Sequence, residues 1–123
     1  MPDSYRILLV DDDKDTCEMM SFLLTLENSD YEVISATTAD EALALMDAKK
    51  FDLYILDSLL PDMSGIELCA QVRRSDERTP ILFYSGMLEN NYIRNAKAAG
   101  ANDYLVKPDD LDRLTETIGQ YLN

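Results

Sequence analysis

No histidine occurs anywhere in the 123 residues, and its absence removes the most common general base and proton shuttle near neutral pH. Any chemistry that needs an imidazole must take it from another molecule. Cysteine is nearly as scarce. Cys17 and Cys69 both fall at apolar positions of predicted helices, where a small buried hydrophobe explains them better than a disulfide or metal ligand. Basic residues are outnumbered, with 11 Lys and Arg against 24 Asp and Glu for a net charge of −13, and they are scattered rather than gathered in a stripe. Such a surface repels nucleic-acid phosphates and anionic membranes, so direct nucleic-acid binding and membrane association are not expected. Long hydrophobic runs are missing too. The apolar stretches are strand-sized, and residues 1–6 lead directly into 7–10 without a basic region ahead of a leader-length apolar segment. Neither a signal peptide nor a membrane span is read, and the expected location is the cytoplasm. No glycine-rich phosphate loop is present, which disfavours nucleotide and flavin binding.

What the chain does have is an alternation of short apolar runs with helical patterns. Its length, with 46% hydrophobic and 28% charged residues, suits one globular domain over 1–123 that can bury a real core. Residues 5–10 form a first strand halted by Asp11, Asp12 and Asp13. Asp13 then caps a helix in which Cys17, Met20, Leu23 and Leu24 recur at helical spacing. Residues 31–36 alternate like a strand with one wet side, which suits a sheet edge. Thr38 with Glu41 opens a short helix through Ala48 as a capping box, and Ser64 with Glu67 opens another through Arg74 whose buried stripe is read as Ile66, Cys69 and Val72. Between those helices 53–56 is a continuous apolar run, the pattern of a strand covered on both faces. A fourth strand at 81–84 ends in Ser85 and Gly86, and a helix over 89–99 is closed by Gly100. A fifth strand runs 102–106, and a last helix over 109–122 buries Leu111, Leu114, Ile118 and Tyr121 or Leu122. Five strands alternating with five helices imply an α/β fold, a parallel sheet with helices on both faces.

Polar residues follow the apolar runs at four strand ends: Asp11 to Asp13, Asp57, Ser85 and Lys107. In a parallel sheet those ends share one edge, where open α/β sheets place their ligand sites. An isolated acid after a strand is more often a solvated end or a helix cap; the other three ends are what favour a site here. Carboxylates gathered in a partly dry crevice repel strongly unless a cation sits among them, and oxygen donors without histidine or thiolate point to Mg²⁺. A nucleophilic carboxylate with an ammonium and a hydroxyl nearby suits holding a phosphoryl group on aspartate.

The runs Leu9-Val10-Asp11-Asp12-Asp13, Leu56-Asp57 with Pro61 and Gly65, Tyr84-Ser85-Gly86 and Tyr104-Leu105-Val106-Lys107-Pro108 stand in this order and spacing. Together they resemble the receiver domain of two-component response regulators, and the match covers 5–122. The resemblance implies the flavodoxin-like (βα)5 three-layer fold with strand order 2-1-3-4-5, for which a receiver domain is itself a type example. It also implies that Asp57 is the phosphoacceptor, that Asp11, Asp12 and Asp57 with the backbone carbonyl of Leu59 hold Mg²⁺, and that Lys107 pairs with the phosphoryl group. Ser85 then matches the switch hydroxyl, Tyr104 the switch aromatic, and Lys107-Pro108 a cis peptide. Tyr104 serves equally well as plain edge-strand packing, and Asp13, at a position where the family often has another acid, is better read as the helix cap. A domain of this kind is not a classical enzyme but catalyses its own aspartyl phosphorylation and dephosphorylation. The implied partners are a histidine kinase or histidine phosphotransfer protein that supplies the phosphoryl group, a downstream effector protein or domain, and a second copy in a phosphorylation-dependent homodimer. The implied switching surface is the fourth helix, fifth strand and fifth helix, 87–122. The chain departs from the family pattern in carrying serine where threonine is commoner at Ser85, and apolar Leu59 and Met87 beside the site.

Two rival motifs fail on particular residues. Asp11-Asp12-Asp13 offers the Asp-x-Asp of haloacid-dehalogenase-type phosphohydrolases, but Asp15 stands where that motif wants threonine or valine. Asp11, Asp13 and Asp15 mimic the start of an EF-hand, but Thr16 replaces its glycine and Phe22 its bidentate glutamate. The remaining alternative is a pseudo-receiver, a protein-binding module that is never phosphorylated. Such modules usually lack an acid or the lysine, and this chain has both.

Overall fold

The computed structural model describes residues 4–123; residues 1–3 of the expected domain lie outside it. Ten elements alternate along the chain: β1 (Tyr5–Val10), α1 (Lys14–Glu27), β2 (Tyr31–Ala36), α2 (Ala39–Ala48), β3 (Leu53–Leu56), α3 (Gly65–Arg73), β4 (Ile81–Ser85), α4 (Asn90–Ala98), β5 (Asp103–Val106) and α5 (Leu111–Leu122). All pairings are parallel, and the sheet order is β2-β1-β3-β4-β5. β2 lies at the sheet edge as expected, but its exposed residues Glu32 and Ser35 fall on opposite faces rather than along one wet side, because an edge strand is open on both; the uninterrupted burial of β3 follows from its central position.

Because strand side chains alternate between faces, the core divides in two. Leu8, Val10, Tyr54, Leu56, Ile81, Phe83 and Tyr104 pack with Ala39, Ala42, Leu68, Cys69, Val72 and Ala96 from α2, α3 and α4. Ile7, Leu9, Leu53, Ile55, Leu82, Tyr84 and Leu105 pack on the other side with Cys17, Met20, Leu24, Leu114 and Ile118 from α1 and α5. Three stripe readings shift in detail. In α3 Leu68 is fully buried while Ile66 is half-buried, because the helix presents its Leu68–Cys69–Val72 face to the sheet. In α5 Thr117 joins Leu114 and Ile118 inside, its hydroxyl donating back to the Arg113 carbonyl at 2.6 Å, whereas Leu111 and Leu122 are half-buried and Tyr121 is exposed. Leu23 of α1 is half-buried beside fully covered Met20 and Leu24.

The helix starts follow the local chemistry. Asp13 accepts from the Asp15 N–H, Thr38 from Glu41 N–H and Ser64 from Glu67 N–H. The reciprocal arm of the α2 box reaches one residue further back than expected, with Glu41 accepting from Thr37 N–H at 2.7 Å. Asp62, in the loop after β3, accepts from Ala39 N–H and Asp40 N–H at 2.9 Å each. Those two backbone bonds hold its carboxyl below the usual range and tie the loop to the start of α2. Gly100, at φ 118°, closes α4 in the left-handed region. The α4 and α5 helices begin later than the sequence pattern suggests, at Asn90 and Leu111, and neither has a side-chain cap.

Candidate functional site

The carboxyl ends of β1, β3, β4 and β5 meet at one edge. Asp11 follows β1, and its amide donates to Ala36 carbonyl at 3.0 Å; Asp57 follows β3, and its amide donates to Val10 carbonyl at 2.9 Å, so the two acids are locked side by side across the β1–β3 ladder. Oxygens of Asp11, Asp12 and Asp57 lie within 4.8 Å of one another. Asp11 is 2% exposed and Asp12 open to solvent. Lys107, after β5, reaches across to donate to Asp11 Oδ2 at 2.5 Å and approaches Asp57 Oδ2 at 3.4 Å. The Lys107-Pro108 peptide preceding α5 is cis.

Charge is unbalanced within this group. Burial pushes the Asp57 carboxyl above its ordinary pKa, Lys107 opposes that rise and the Asp11 charge adds to it. Burial alone would lower the Lys107 ammonium, but its hydrogen bond to Asp11 and the charge of Asp57 outweigh it and hold the group above its usual value. Three carboxylates face one ammonium, leaving two negative charges that a hard divalent cation would neutralise. With oxygen donors only and neither imidazole nor thiolate, the set fits Mg²⁺. Among the described residues this is the one acidic group of metal-holding geometry. Asp13 is not in it; its side chain caps α1 and also accepts from the Thr16 hydroxyl at 3.0 Å. Cys17 lies nearby with its thiol donating to the Asp11 carbonyl and its pKa pushed up to about 11, chiefly by burial, so it is no thiolate ligand.

Beside the acids is a depression of about 480 Å³ lined by Asp12, Asp57, Ser58, Leu59, Ser85, Gly86 and Met87. Leu59 projects 63% exposed at its rim, on a loop folded back by a bridge from Leu59 to Ser64. A cleft of similar volume between α2 and α3, lined in part by Leu43, Met46, Gln71 and Val72, has no comparable grouping of acids and base.

Ser85 and Tyr104 are both buried, at 2% and 8% exposed. Tyr104 already lies inward, stacked on Phe83 with ring centroids 5.5 Å apart and donating to Met87 carbonyl at 2.8 Å. Two residues next to them went unremarked in the sequence. Ser58, 1% exposed, hydrogen-bonds both Ser85 Oγ and Tyr104 Oη. Tyr92 of α4 donates to Ser58 carbonyl at 2.9 Å. The available signal was a serine interrupting the otherwise apolar sequence around Asp57; Tyr92 had none.

The family model described as response regulator receiver domain matches residues 7–119. The nisin biosynthesis regulatory protein NisR of Lactococcus lactis subsp. lactis is 34% identical over 93% of this chain and 48% of its own length, so the chain spans about half the length of that curated relative. Among solved structures, the chemotaxis response regulator CheY4 of Vibrio cholerae superposes with TM-score 0.85 at 34% identity, covering 97% of this chain and 99% of that one. The response regulator TrrA of Thermotoga maritima, in complex with Mg²⁺ and beryllofluoride, superposes with TM-score 0.85 at 30% identity, covering 96% and 99%.

Proposed function

Because the chain belongs to the response regulator receiver domain family, we propose that Asp57 takes a phosphoryl group from a phosphohistidine on a separate histidine kinase or histidine phosphotransfer protein. The observation that carries this reading is Lys107 bridging Asp11 and Asp57, 2.5 and 3.4 Å away, within a three-carboxylate group. An Asp57 carboxylate oxygen attacks phosphorus, the bond to the donor's imidazole nitrogen breaks, and the imidazole leaves and takes a proton from solvent. Lys107 turns its ammonium from the carboxylates to the incoming phosphoryl oxygens, and the Ser85 hydroxyl donates to another. Asp11, Asp12, Asp57 and the Leu59 carbonyl would hold Mg²⁺, which would supply further charge neutralisation there. The absence of histidine from this chain fits a donor in trans. Phosphorylation biases the surface of α4, β5 and α5, to which Tyr104 belongs through β5 and its contact with Tyr92 of α4, and an effector or second copy reads it there.

Incubation with acetyl phosphate and Mg²⁺ is expected to add the mass of one phosphoryl group to the wild type and none to Asp57→Asn. Uptake by Asp57→Asn at the wild-type rate would make another residue the acceptor. No uptake by the wild type would leave a pseudo-receiver that acts by binding alone.

Loss of the phosphoryl group requires water to approach phosphorus opposite the Asp57 oxygen, across the depression bordered by Leu59 and Met87. Neither side chain can hydrogen-bond an attacking water well, and both are placed to shield the phosphorus. The double variant Leu59→Asn with Met87→Glu is expected to shorten the phosphoryl lifetime about 10- to 100-fold, a barrier change of about 1.4 to 2.7 kcal/mol. Equal lifetimes at fixed Mg²⁺ and pH would mean that the two side chains leave the path open.

A further inference from the structure

The polar residues at the strand ends form two rows, not one. Asp57 continues the parity of Leu53 and Ile55, and Lys107 that of Leu105, toward the α1–α5 side. Ser58 continues the parity of Tyr54 and Leu56, and Ser85 that of Ile81 and Phe83, toward the α2–α3–α4 side, where Tyr104 also packs. The ladder register aligns Leu56 with Phe83 and Phe83 with Tyr104. One residue pair further along β3 and β4, Ser58 and Ser85 therefore meet above the Phe83–Tyr104 stack, behind the acid and base row.

In that second row Ser58 Oγ donates to Ser85 Oγ at 2.5 Å and lies 3.1 Å from Tyr104 Oη. Ser85 Oγ also accepts from Met87 N–H at 3.1 Å, and Tyr104 Oη donates to Met87 carbonyl at 2.8 Å. Among the described residues no buried side-chain nitrogen or oxygen lacks a partner, so these hydroxyls constrain one another. A hydroxyl has one proton to give and two lone pairs to receive. With Ser58 and the Met87 amide both donating to it, Ser85 has its acceptor sites filled, and its own proton is left for the depression beside Asp57.

We propose that the Ser58 hydroxyl is a positioning group that couples the donor direction of Ser85 to the inward placement of Tyr104. When Ser85 donates outward to a phosphoryl oxygen, Ser58 donates to Ser85 and receives a share of the Tyr104 proton. When Ser85 turns its proton back, Ser58 gives its own to Tyr104. No covalent bond changes; two hydroxyl rotations interconvert the states. The inference rests on the phosphoacceptor reading for what Ser85 donates to, but the coupling between the three hydroxyls exists without any ligand. The carbonyl of Ser58 is held by Tyr92 at 2.9 Å and Gly65 N–H at 2.7 Å, so its backbone is fixed and the hydroxyl is the part free to turn.

The test labels the tyrosines with 3-fluorotyrosine, assigns Tyr104 through Tyr104→Phe, and follows its fluorine resonance in the full chain. Without ligand, Ser85→Ala is expected to shift that resonance in the wild-type background, and to shift it less than about half as far when Ser58→Ala is already present, since a shared partner makes the effects non-additive. Ser58→Cys keeps nearly the same volume but is a weak donor, and is expected to behave as Ser58→Ala does. Equal Ser85→Ala shifts with and without Ser58→Ala would overturn the coupling, and so would Ser58→Cys behaving as wild type, which would assign the effect to packing. In a second arm, with Mg²⁺ and beryllofluoride as the phosphoryl mimic, Ser58→Ala is expected to weaken mimic binding about fivefold, the order of one hydrogen bond, and Ser85→Ala to add little in that background. Additive losses there would count against the inference. Failure of the wild type to bind the mimic at all would count against the phosphoacceptor reading, while the ligand-free comparison decides the coupling separately.

Discussion

Replacing Lys107 with methionine is expected to cost the metal-free protein about 3 kcal/mol of stability, the order found when one member of a buried ion pair is removed. Asp11 is 2% exposed, and its two oxygens are satisfied by Asp13 N–H at 3.0 Å and by Lys107 at 2.5 Å. Lys107→Met keeps most of the apolar stem but takes away the ammonium. It leaves a buried carboxylate with one oxygen unpartnered and no local charge to offset Asp12 and Asp57. Neutralising the acid in the double variant Asp11→Asn with Lys107→Met should recover much of the loss, because the penalty comes from the orphaned charge rather than from lost packing. Added Mg²⁺ should raise the melting temperature of Lys107→Met more than that of the wild type, since the divalent ion then replaces the ammonium removed from the cluster. Denaturant unfolding with and without Mg²⁺ reads all three arms. A loss below about 1 kcal/mol, the range of surface pairs, would show that the cluster is solvated well enough to need no ammonium.

Gly65→Ala is expected to cost a further order of about 3 kcal/mol, at the upper end for overpacking, and to slow Asp57 phosphorylation at least tenfold. Gly65 opens α3, and its amide donates to Ser58 carbonyl at 2.7 Å. A Cβ there would sit 2.1 Å from the Asp57 carbonyl oxygen and 2.9 Å from Phe83 Cε2. Neither neighbour can yield cheaply: Phe83 is fully buried and stacked on Tyr104, and the Asp57 carbonyl cannot move without carrying its carboxylate away from Lys107. Misplacement of a reacting atom by about an ångström can cost a hundredfold in rate, so the phosphorylation readout should be more sensitive than the melt. The glycine is required for space, since Gly100 is the one glycine with positive φ among the described residues. A Gly65→Ala protein with wild-type stability and labelling rate would show that the start of α3 can slide outward and leave Asp57 in place.

Much of the fold is legible in the sequence because its signals are local. Asp13, Thr38 and Ser64 cap helices through bonds that span two or three residues, and the all-apolar Leu53–Leu56 reports a central strand without reference to its neighbours. The site acids were legible for a related reason: a parallel sheet puts every strand's carboxyl end on one edge, so polar residues after apolar runs at Asp11, Asp57, Ser85 and Lys107 must converge. Boundaries were less certain where no cap marks them, as at Asn90 and Leu111.

Composition, periodicity and strand-end polarity by themselves determined the α/β class, the element order and the absence of an internal histidine, because each is a property of short stretches or of simple counts. Only the tertiary structure decided that Leu68 and Thr117 are buried in place of full burial for Ile66 and Leu111, since that depends on how each helix rotates against the sheet. It alone decided that Ser58 lies against Ser85 and Tyr104, residues 27 and 46 positions away in the chain. That contact needs the register of three strands at once, and a one-residue slip in any of them would send a hydroxyl to the opposite face.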